Sequence, residues 1–485
     1  MGLPIRSMVL SSVTAVCVAG CMVGPDYHRP ATTMPAGWVP QGPEPATLPS
    51  HTDTGAPNLV HWWAQFGDAE LTSLVERSLH GNLDVQQAEA RIRQARAQGV
   101  VVGSAYWPDV TANGSYRRVR TPNGRGGGVE SNLYSEGFDA TWELDVFGGT
   151  RRSVEAADAQ TVSAIEDLRD VMVTLVSEVA ANYLDLRGQQ ERIVISQRNL
   201  ESQLKSLDLT RRQFKAGFIG ALDVANAEAQ VATTRSQIPS LESQIRQDIY
   251  AIALLLGIEP GALVEELSAT APMPTTPPQV PVGLPSELLR RRPDIRRAEA
   301  QLHAATAQIG VATADLYPKF SLTGTIGIAA SNSKALDTWS NRNWSIGPSV
   351  SWDIFNAGRT QANIKVQEAL RDQSTYAYRS TVLTALRDVE SSLIAYAKEQ
   401  EHQQILGEAV TSNRRAVDLS QRLYSDGQTD FLNVLNAQRS LLLAEQAYSL
   451  SAQSVATDLV SLYKALGGGW ESTASTAAPT TAPTR

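Results

Sequence analysis

Tyr134-Ser135-Glu136-Gly137-Phe138-Asp139-Ala140-Thr141-Trp142-Glu143-Leu144-Asp145-Val146 is the stretch whose reading decides the fold. Apart from Glu136, its even positions are apolar or aromatic, and its odd positions are small, polar or acidic. A period of two assigns a strand with one apolar and one polar face. Phe320, Leu322, Ile326 and Ile328 alternate in the same way with Ser321, Thr323, Thr325 and Gly327. Trp344, Ile346, Val350 and Trp352 alternate with Ser345, Gly347, Ser349, Ser351 and Asp353, and Val110 to Val119 is a less regular fourth case. The four segments form two hairpins, one split by Thr121-Pro122-Asn123-Gly124-Arg125-Gly126-Gly127-Gly128 and the other by the polar run Ala330 to Asn343. Strands of about 10 to 13 residues have the length that a tilted membrane strand needs.

Each hairpin belongs to a unit that occurs twice, about 210 residues apart. Asn82-Leu83-Asp84-Val85 with Ala88-Glu89-Ala90 returns as Arg292-Pro293-Asp294-Ile295 with Ala298-Glu299-Ala300. Pro108 returns as Pro318, and Trp142 to Phe147 returns as Ser351 to Phe355. Arg212, Phe214, Gly217 and Leu222 to Ala227 return as Arg422, Tyr424, Gly427 and Leu432 to Ala437, and Leu256-Gly257 returns as Leu466-Gly467. A repeat of this length is a duplicated architectural unit, not a solenoid.

After each hairpin comes a long proline-free run, Arg151 to Ile238 and Arg359 to Ala478, with Gly217 and Gly427 as turns. A helix from about Arg151 to Phe214 would be roughly 95 Å long. Its apolar positions, including Leu168, Val171, Leu175, Val179 and Tyr183, keep 3- and 4-residue spacings, the stripe of a helix packed in a bundle or coiled coil.

The bulk properties set limits. A formal net charge of -8 argues against a general nucleic-acid role. No apolar run is long enough for a membrane-spanning helix. The only cysteines are Cys17 and Cys21, so the body of the chain has no disulfide framework. Arg6 and the apolar segment Met8 to Ala19 read as a signal peptide ending in Val18-Ala19-Gly20-Cys21, which resembles a bacterial lipobox. That resemblance implies cleavage before Cys21, covalent lipid on its thiol, and departure of Cys17 with the signal; Met22 after the Cys permits sorting to the outer membrane. The alternative is an ordinary signal peptide with an incidental Cys.

Nothing points to an enzyme. His28, His51, His61, His80, His303 and His402 are scattered without metal-ligand spacing. There is no nucleophile elbow and no P-loop, and Gly126-Gly127-Gly128 lies in a hairpin loop rather than before a helix. No cofactor is expected beyond the lipid on Cys21.

Four strands cannot close a membrane barrel, because each open edge would leave backbone groups unpaired in lipid, at several kcal/mol each. The chain must therefore oligomerise, giving eight, twelve or sixteen strands for two, three or four protomers.

Cys21-Met22-Val23-Gly24-Pro25-Asp26-Tyr27, Trp62-Trp63 to Leu71, Leu284 to Ile295, Ala307 to Ala312 with Tyr317-Pro318, and the turns at 212–227 and 422–439 together resemble outer-membrane factors of tripartite efflux systems. These form the TolC-like group, and the likeness is to its lipoprotein branch of OprM/NodT type. The resemblance implies a membrane α+β fold in a homotrimer. Four strands per protomer contribute to a twelve-stranded β-barrel, which is continued by a twelve-helix periplasmic α-barrel with a small mixed equatorial domain. It implies passive export in the bacterial outer membrane, lipid-anchored and extending into the periplasm. The implied partners are a periplasmic adaptor, an inner-membrane transporter of the RND type and outer-membrane lipid, with no nucleic acid. A conduit for type I protein secretion is the alternative; a purely structural periplasmic coiled coil conflicts with the alternating strands.

The expected organisation is a signal peptide over 1–20 and a lipidated strap over 21–60. Repeat 1 covers 61–260, with its hairpin near 108–147 and long helices near 150–256. A linker or equatorial segment covers 261–285. Repeat 2 covers 286–467, with its hairpin near 318–355 and helices near 358–466, and a disordered tail covers 468–485.

The resemblance also implies site residues. The closed periplasmic end of the tube falls at the helix turns, where Leu432 takes the position of a pore-narrowing Leu. Tyr424 and Arg439 match polar residues that link neighbouring helices. The family often has Asp where this chain has Asn436, so a carboxylate lock with Arg439 is missing, and Asp426 or Asp430 could supply an acidic ring instead. Asp430 also reads as an N-cap before Phe431, and Leu432 as ordinary packing. Arg212, Phe214 and Gly217, with Arg422 and Gly427, resemble adaptor-docking turns; the plain reading is Gly at a positive-φ turn and arginines at helix C-termini. Trp142, Trp344 and Trp352 are expected on strand faces near the membrane interfaces, and Trp62 and Trp63 in an equatorial core.

Overall fold

A computed structural model describes residues 22–39, 51–53, 59–122, 127–277 and 279–471. Cys17, Cys21, the signal peptide, much of the strap and the tail beyond 471 lie outside the described residues. The elements are β1 His51–Asp53, α1 Ala69–Gly81, α2 Leu83–Gly103, β2 Asp109–Pro122, β3 Gly128–Leu144, α3 Gly149–Lys215, α4 Ala221–Leu255 and α5 Val264–Leu267. They continue with β4 Gln279–Pro281, α6 Leu288–Arg291, α7 Pro293–Ala314, β5 Lys319–Ala330, β6 Arg342–Ser351, α8 Arg359–Ser425 and α9 Phe431–Ala465. Among the described residues no helix is long and apolar enough to cross a membrane.

The contacts divide the chain into two units. The first takes in 90–165 and 297–379 with the start of the chain to Ala31; the second takes in 32–89, 166–296 and 380 onward.

The first unit holds a four-stranded antiparallel sheet in the order β2-β3-β5-β6. Its register fixes the faces. Val110, Tyr116, Phe138, Trp142, Leu322, Ile326, Trp344 and Ile346 share one side, since Phe138 pairs with Ala112 and Ile326, and Ile326 with Trp344. The other side is a polar ladder. Asn113 donates to Asp139 at 2.5 Å, and hydroxyls pair between Ser115 and Ser135, Ser321 and Ser349, and Thr325 and Ser345 at 2.7–2.9 Å. Strand β3 runs to 17 residues and β2 to 14, longer than the alternation shows, because partner strands hold residues such as Ser131 and Asn132 that carry no pattern. Trp352 lies one residue past β6 rather than on a strand. Its indole donates to Leu316 O at 3.0 Å, as Trp142 donates to Tyr106 O at 3.0 Å, so the duplicated tryptophans make duplicated bonds.

In the same unit the segment after position 21 is pinned. Arg152, its side chain 1 % exposed, donates to Val23 O and pairs with Asp26 at 2.6 Å and Glu155 at 2.8 Å. Tyr27 stacks on His303 at 4.3 Å. Gly24 has φ +89 and lies against Gly310, leaving no room for a side chain.

The second unit is helical. Its core holds Trp62, Trp63 and Phe66, all essentially fully buried, with Trp62 stacked on Tyr463 at 5.1 Å. Asn82 separates α1 from α2, accepting from Val85 N and donating to Leu255 O at 2.8 Å. In the second repeat Arg292 takes over this hook and donates to Ala465 O at 2.8 Å. The short β1 and β4 pair in parallel.

Candidate functional site

The helix turns close by the same backbone pattern twice. Phe218 N donates to Gln213 O at 3.0 Å, and Gln428 N donates to Leu423 O at 2.8 Å. Gly217 (φ +81) and Gly427 (φ +71) make these turns possible, since an L side chain at this φ is strained. A Cβ at either position would meet nothing within 4 Å, so the requirement is conformational and not steric.

The two turns differ in chemistry. The first presents Lys215 and the exposed Phe218 and Leu222, while the second presents Asp426, Gln428 and Asp430. Phe218, 80 % exposed, escapes the repeat comparison because its partner position holds Gln428. Phe214 is exposed too, and Arg212 pairs with Asp208 at 2.8 Å within its own helix. Arg422 is exposed at the end of α8.

On α9, Leu432, Asn436 and Arg439 fall on one exposed face at the 4- and 3-residue spacing of a helix. Arg439 makes no ion pair among the described residues. Tyr424 does not join this face. It is buried with Leu207, Ala227, Phe431 and Val434, its ring 5.4 Å from that of Phe431. Asp430 takes the extended N-cap backbone, but its carboxylate caps nothing. Its main-chain oxygen accepts from Asn433 N at 3.1 Å, and the Asn433 side chain donates to Thr429 Oγ1 at 2.7 Å. The carboxylates of Asp426 and Asp430 both stay exposed.

The opposite face of α9 is the buried stripe Phe431, Val434, Gln438, Leu442, Glu445 and Ser449. Glu445 is the charged member. It accepts from Asn199 on α3 and Arg414 on α8, both at 2.8 Å, with Arg198 at 3.5 Å, so one carboxylate joins three helices. The clue in the sequence is a charge at an apolar period; its partners lie too far along the chain to be read from it. Further along, Asp248 and Asp458 occupy equivalent places in α4 and α9. Burial, and then Asp185 and Glu399 respectively, push both up to about 6, although Arg192 opposes the shift at Asp248. Among the described residues no group of three or more acidic, His or Cys side chains could hold a metal ion.

The duplicated plan of the chain is shared with known proteins. The family described as "Outer membrane efflux protein" matches residues 74–258 and again 284–468, one match per repeat. "Nodulation protein T" of Rhizobium leguminosarum bv. trifolii is 33% identical over 461 residues, covering 94% of this chain and 96% of that protein. "Toluene efflux pump outer membrane protein TtgC" of Pseudomonas putida is 33% identical, with 96% of each covered. The solved outer-membrane channel OprN superposes with a TM-score of 0.86 at 38% identity, covering 93% of this chain and 100% of that one. The four strands are one protomer's share of a trimeric twelve-stranded barrel, continued by a helical barrel. Matched in both halves and aligned nearly end to end with its relatives, the chain belongs to the outer membrane efflux protein family.

Proposed function

We propose that this chain is the exit duct through which a pump expels small, largely apolar organic compounds. The channel is a homotrimer in the outer membrane, reaches into the periplasm, works with an adaptor and an inner-membrane transporter, and is not an enzyme. An RND-type transporter is part of the proposal. The observation that carries the duct reading is the polar Ser/Thr/Asn ladder on one sheet face: it makes a wet, unselective wall and leaves selection of the exported compound to the transporter. The exported class follows from the toluene pump protein, aligned over 96% of its length. Deleting the gene should lower the tolerated concentration of an apolar solvent or hydrophobic dye several-fold, with recovery on complementation. Unchanged tolerance together with loss of a secreted protein would favour type I secretion instead.

The proposal extends to the gate and the anchor. Leu432, Asn436 and Arg439, with Asp426 and Asp430 beside them, form the periplasmic constriction, and Tyr424 supports it from the core. The turns at Gly217 and Gly427, with Arg212, Phe214 and Arg422, receive the adaptor, and Phe218 joins them. Cys21 becomes the acylated N-terminus of a lipoprotein; a mature mass lacking acyl chains would rule that out.

A further inference from the structure

We infer that the lipid-facing side of the sheet carries, at its loop end, a seat for membrane-lipid phosphates, assembled where β6 of one protomer meets β2 of the next.

The register supplies the first part. On the apolar face the last aromatic pair toward the loops is Tyr116 and Tyr134, with ring centroids 4.6 Å apart. Tyr134 to Leu144 spans about 33 Å of extended chain. A tilt of about 40° reduces this to about 25 Å, the height of an apolar band in a membrane barrel. Past the tyrosines the same face turns polar: Arg118 and Arg120 on β2, with Asn132 and Glu130 opposite them. On β6 the corresponding loop-end residue of this face is Arg342, since it pairs with Ile328.

Topology supplies the second part. Strands β2 and β6 are the two edges of the protomer's sheet. Closing a twelve-stranded barrel from three copies must pair these edges, because an open edge is not tolerated in lipid. Arg118 and Arg120 lie in the last five residues of β2, and Arg342 is the first residue of β6, so both sets stand at the same end and on the same face of the junction.

Charge supplies the third. Arg118 is ion-paired with Glu130. Arg120 makes no ion pair among the described residues. Arg342 donates to Trp339 O at 3.1 Å and lies 4.6 Å over that exposed ring, so it is positioned without being neutralised. Glu136 is the other acid on this face, on the barrel side of the tyrosine pair. Glu130 lies opposite Arg120 but is taken by Arg118, so each junction gathers two guanidiniums, Arg120 and Arg342, that make no ion pair among the described residues, just outside the aromatic rim, at the depth of the headgroups. Guanidinium forks match phosphate oxygens in bidentate geometry, and basic residues at this depth attract anionic lipid. Arg117 faces the other side of the sheet and serves as an internal control.

The test uses the purified trimer in detergent, with lipid A as the probe and native mass spectrometry as the readout. Each arginine near an anionic lipid surface contributes roughly fivefold in affinity, so Arg120→Gln/Arg342→Gln should weaken lipid A binding about twenty-five-fold. Arg117→Gln should leave it unchanged. The pair Arg120→Lys/Arg342→Lys should retain most of it, because a point charge survives. Lipid A stripped of its phosphates should bind the wild type as weakly as intact lipid A binds the glutamine pair. Equal binding by wild type and the glutamine pair, an equal loss in Arg117→Gln, or inorganic phosphate binding as tightly as lipid A would overturn the inference. Heat-stable trimers on a gel, expected for all variants since these arginines are exposed, show separately that the barrel itself is intact.

Discussion

Ile326→Arg should largely abolish assembly of the channel in membranes, whereas Thr325→Arg, one residue away, should assemble close to normally. The register places Ile326 between Phe138 and Trp344 on the apolar side, with all three side chains more than half exposed in the protomer. An arginine there must stand in hydrocarbon, and near the midplane of a barrel this costs about 2–4 kcal/mol. Three protomers carry the cost three times in one assembly. Thr325 pairs with Asp139 and Ser345 on the polar side, and its hydroxyl bonds that of Ser345 at 2.9 Å. An arginine at that position meets water and a neighbouring carboxylate. Heat-stable trimer yield after refolding into lipid, with urea titration of the folded fraction, measures the difference. A reversed order of yields would mean that the faces are assigned the wrong way round, and equal yields that the sheet does not meet lipid.

Leu432→Ala should raise single-channel conductance in planar bilayers several-fold. Leu432 is 54 % exposed on the α9 face that also carries Asn436 and Arg439, and it takes no part in the buried stripe of the same helix. Removing its isobutyl group therefore leaves the protomer's packing intact while clearing the proposed axis in three copies. A core leucine such as Leu442 behaves differently: its truncation would cost about 2–5 kcal/mol of stability. Asp430→Ala should lower cation selectivity, because its uncapped carboxylate is available to an acidic ring. Unchanged conductance in Leu432→Ala combined with unchanged selectivity in Asp430→Ala would move the constriction away from this turn.

The strands, the duplication and the need for partners were legible in the sequence, because each is a local or additive property. A period of two reports which side chains share a face whatever strand lies beside them. Four such strands are too few for a barrel in any arrangement. Gly217 and Gly427 mark turns through φ alone, which is a property of the residue. What the sequence left open depended on partners far along the chain. The resemblance puts Tyr424 among residues that link neighbouring helices, and only the fold shows that Leu207 and Phe431 bury it within the protomer. Asp430 had the right type for a cap, but the turn geometry leaves its carboxylate unused. Glu445 is one charge in a leucine-rich run until Asn199, 246 residues away, and Arg414 close on it. The repeat alignment sets Asn82 against Arg292, but only the fold shows that these two unlike side chains make the same hook, each donating to the equivalent backbone oxygen, Leu255 O and Ala465 O. By itself the sequence determined the elements, their faces and the incompleteness of the single protomer. Only the tertiary structure decided which polar side chains are buried, and what each one holds, because burial and hydrogen bonding arise between helices and strands that the chain brings together from a distance.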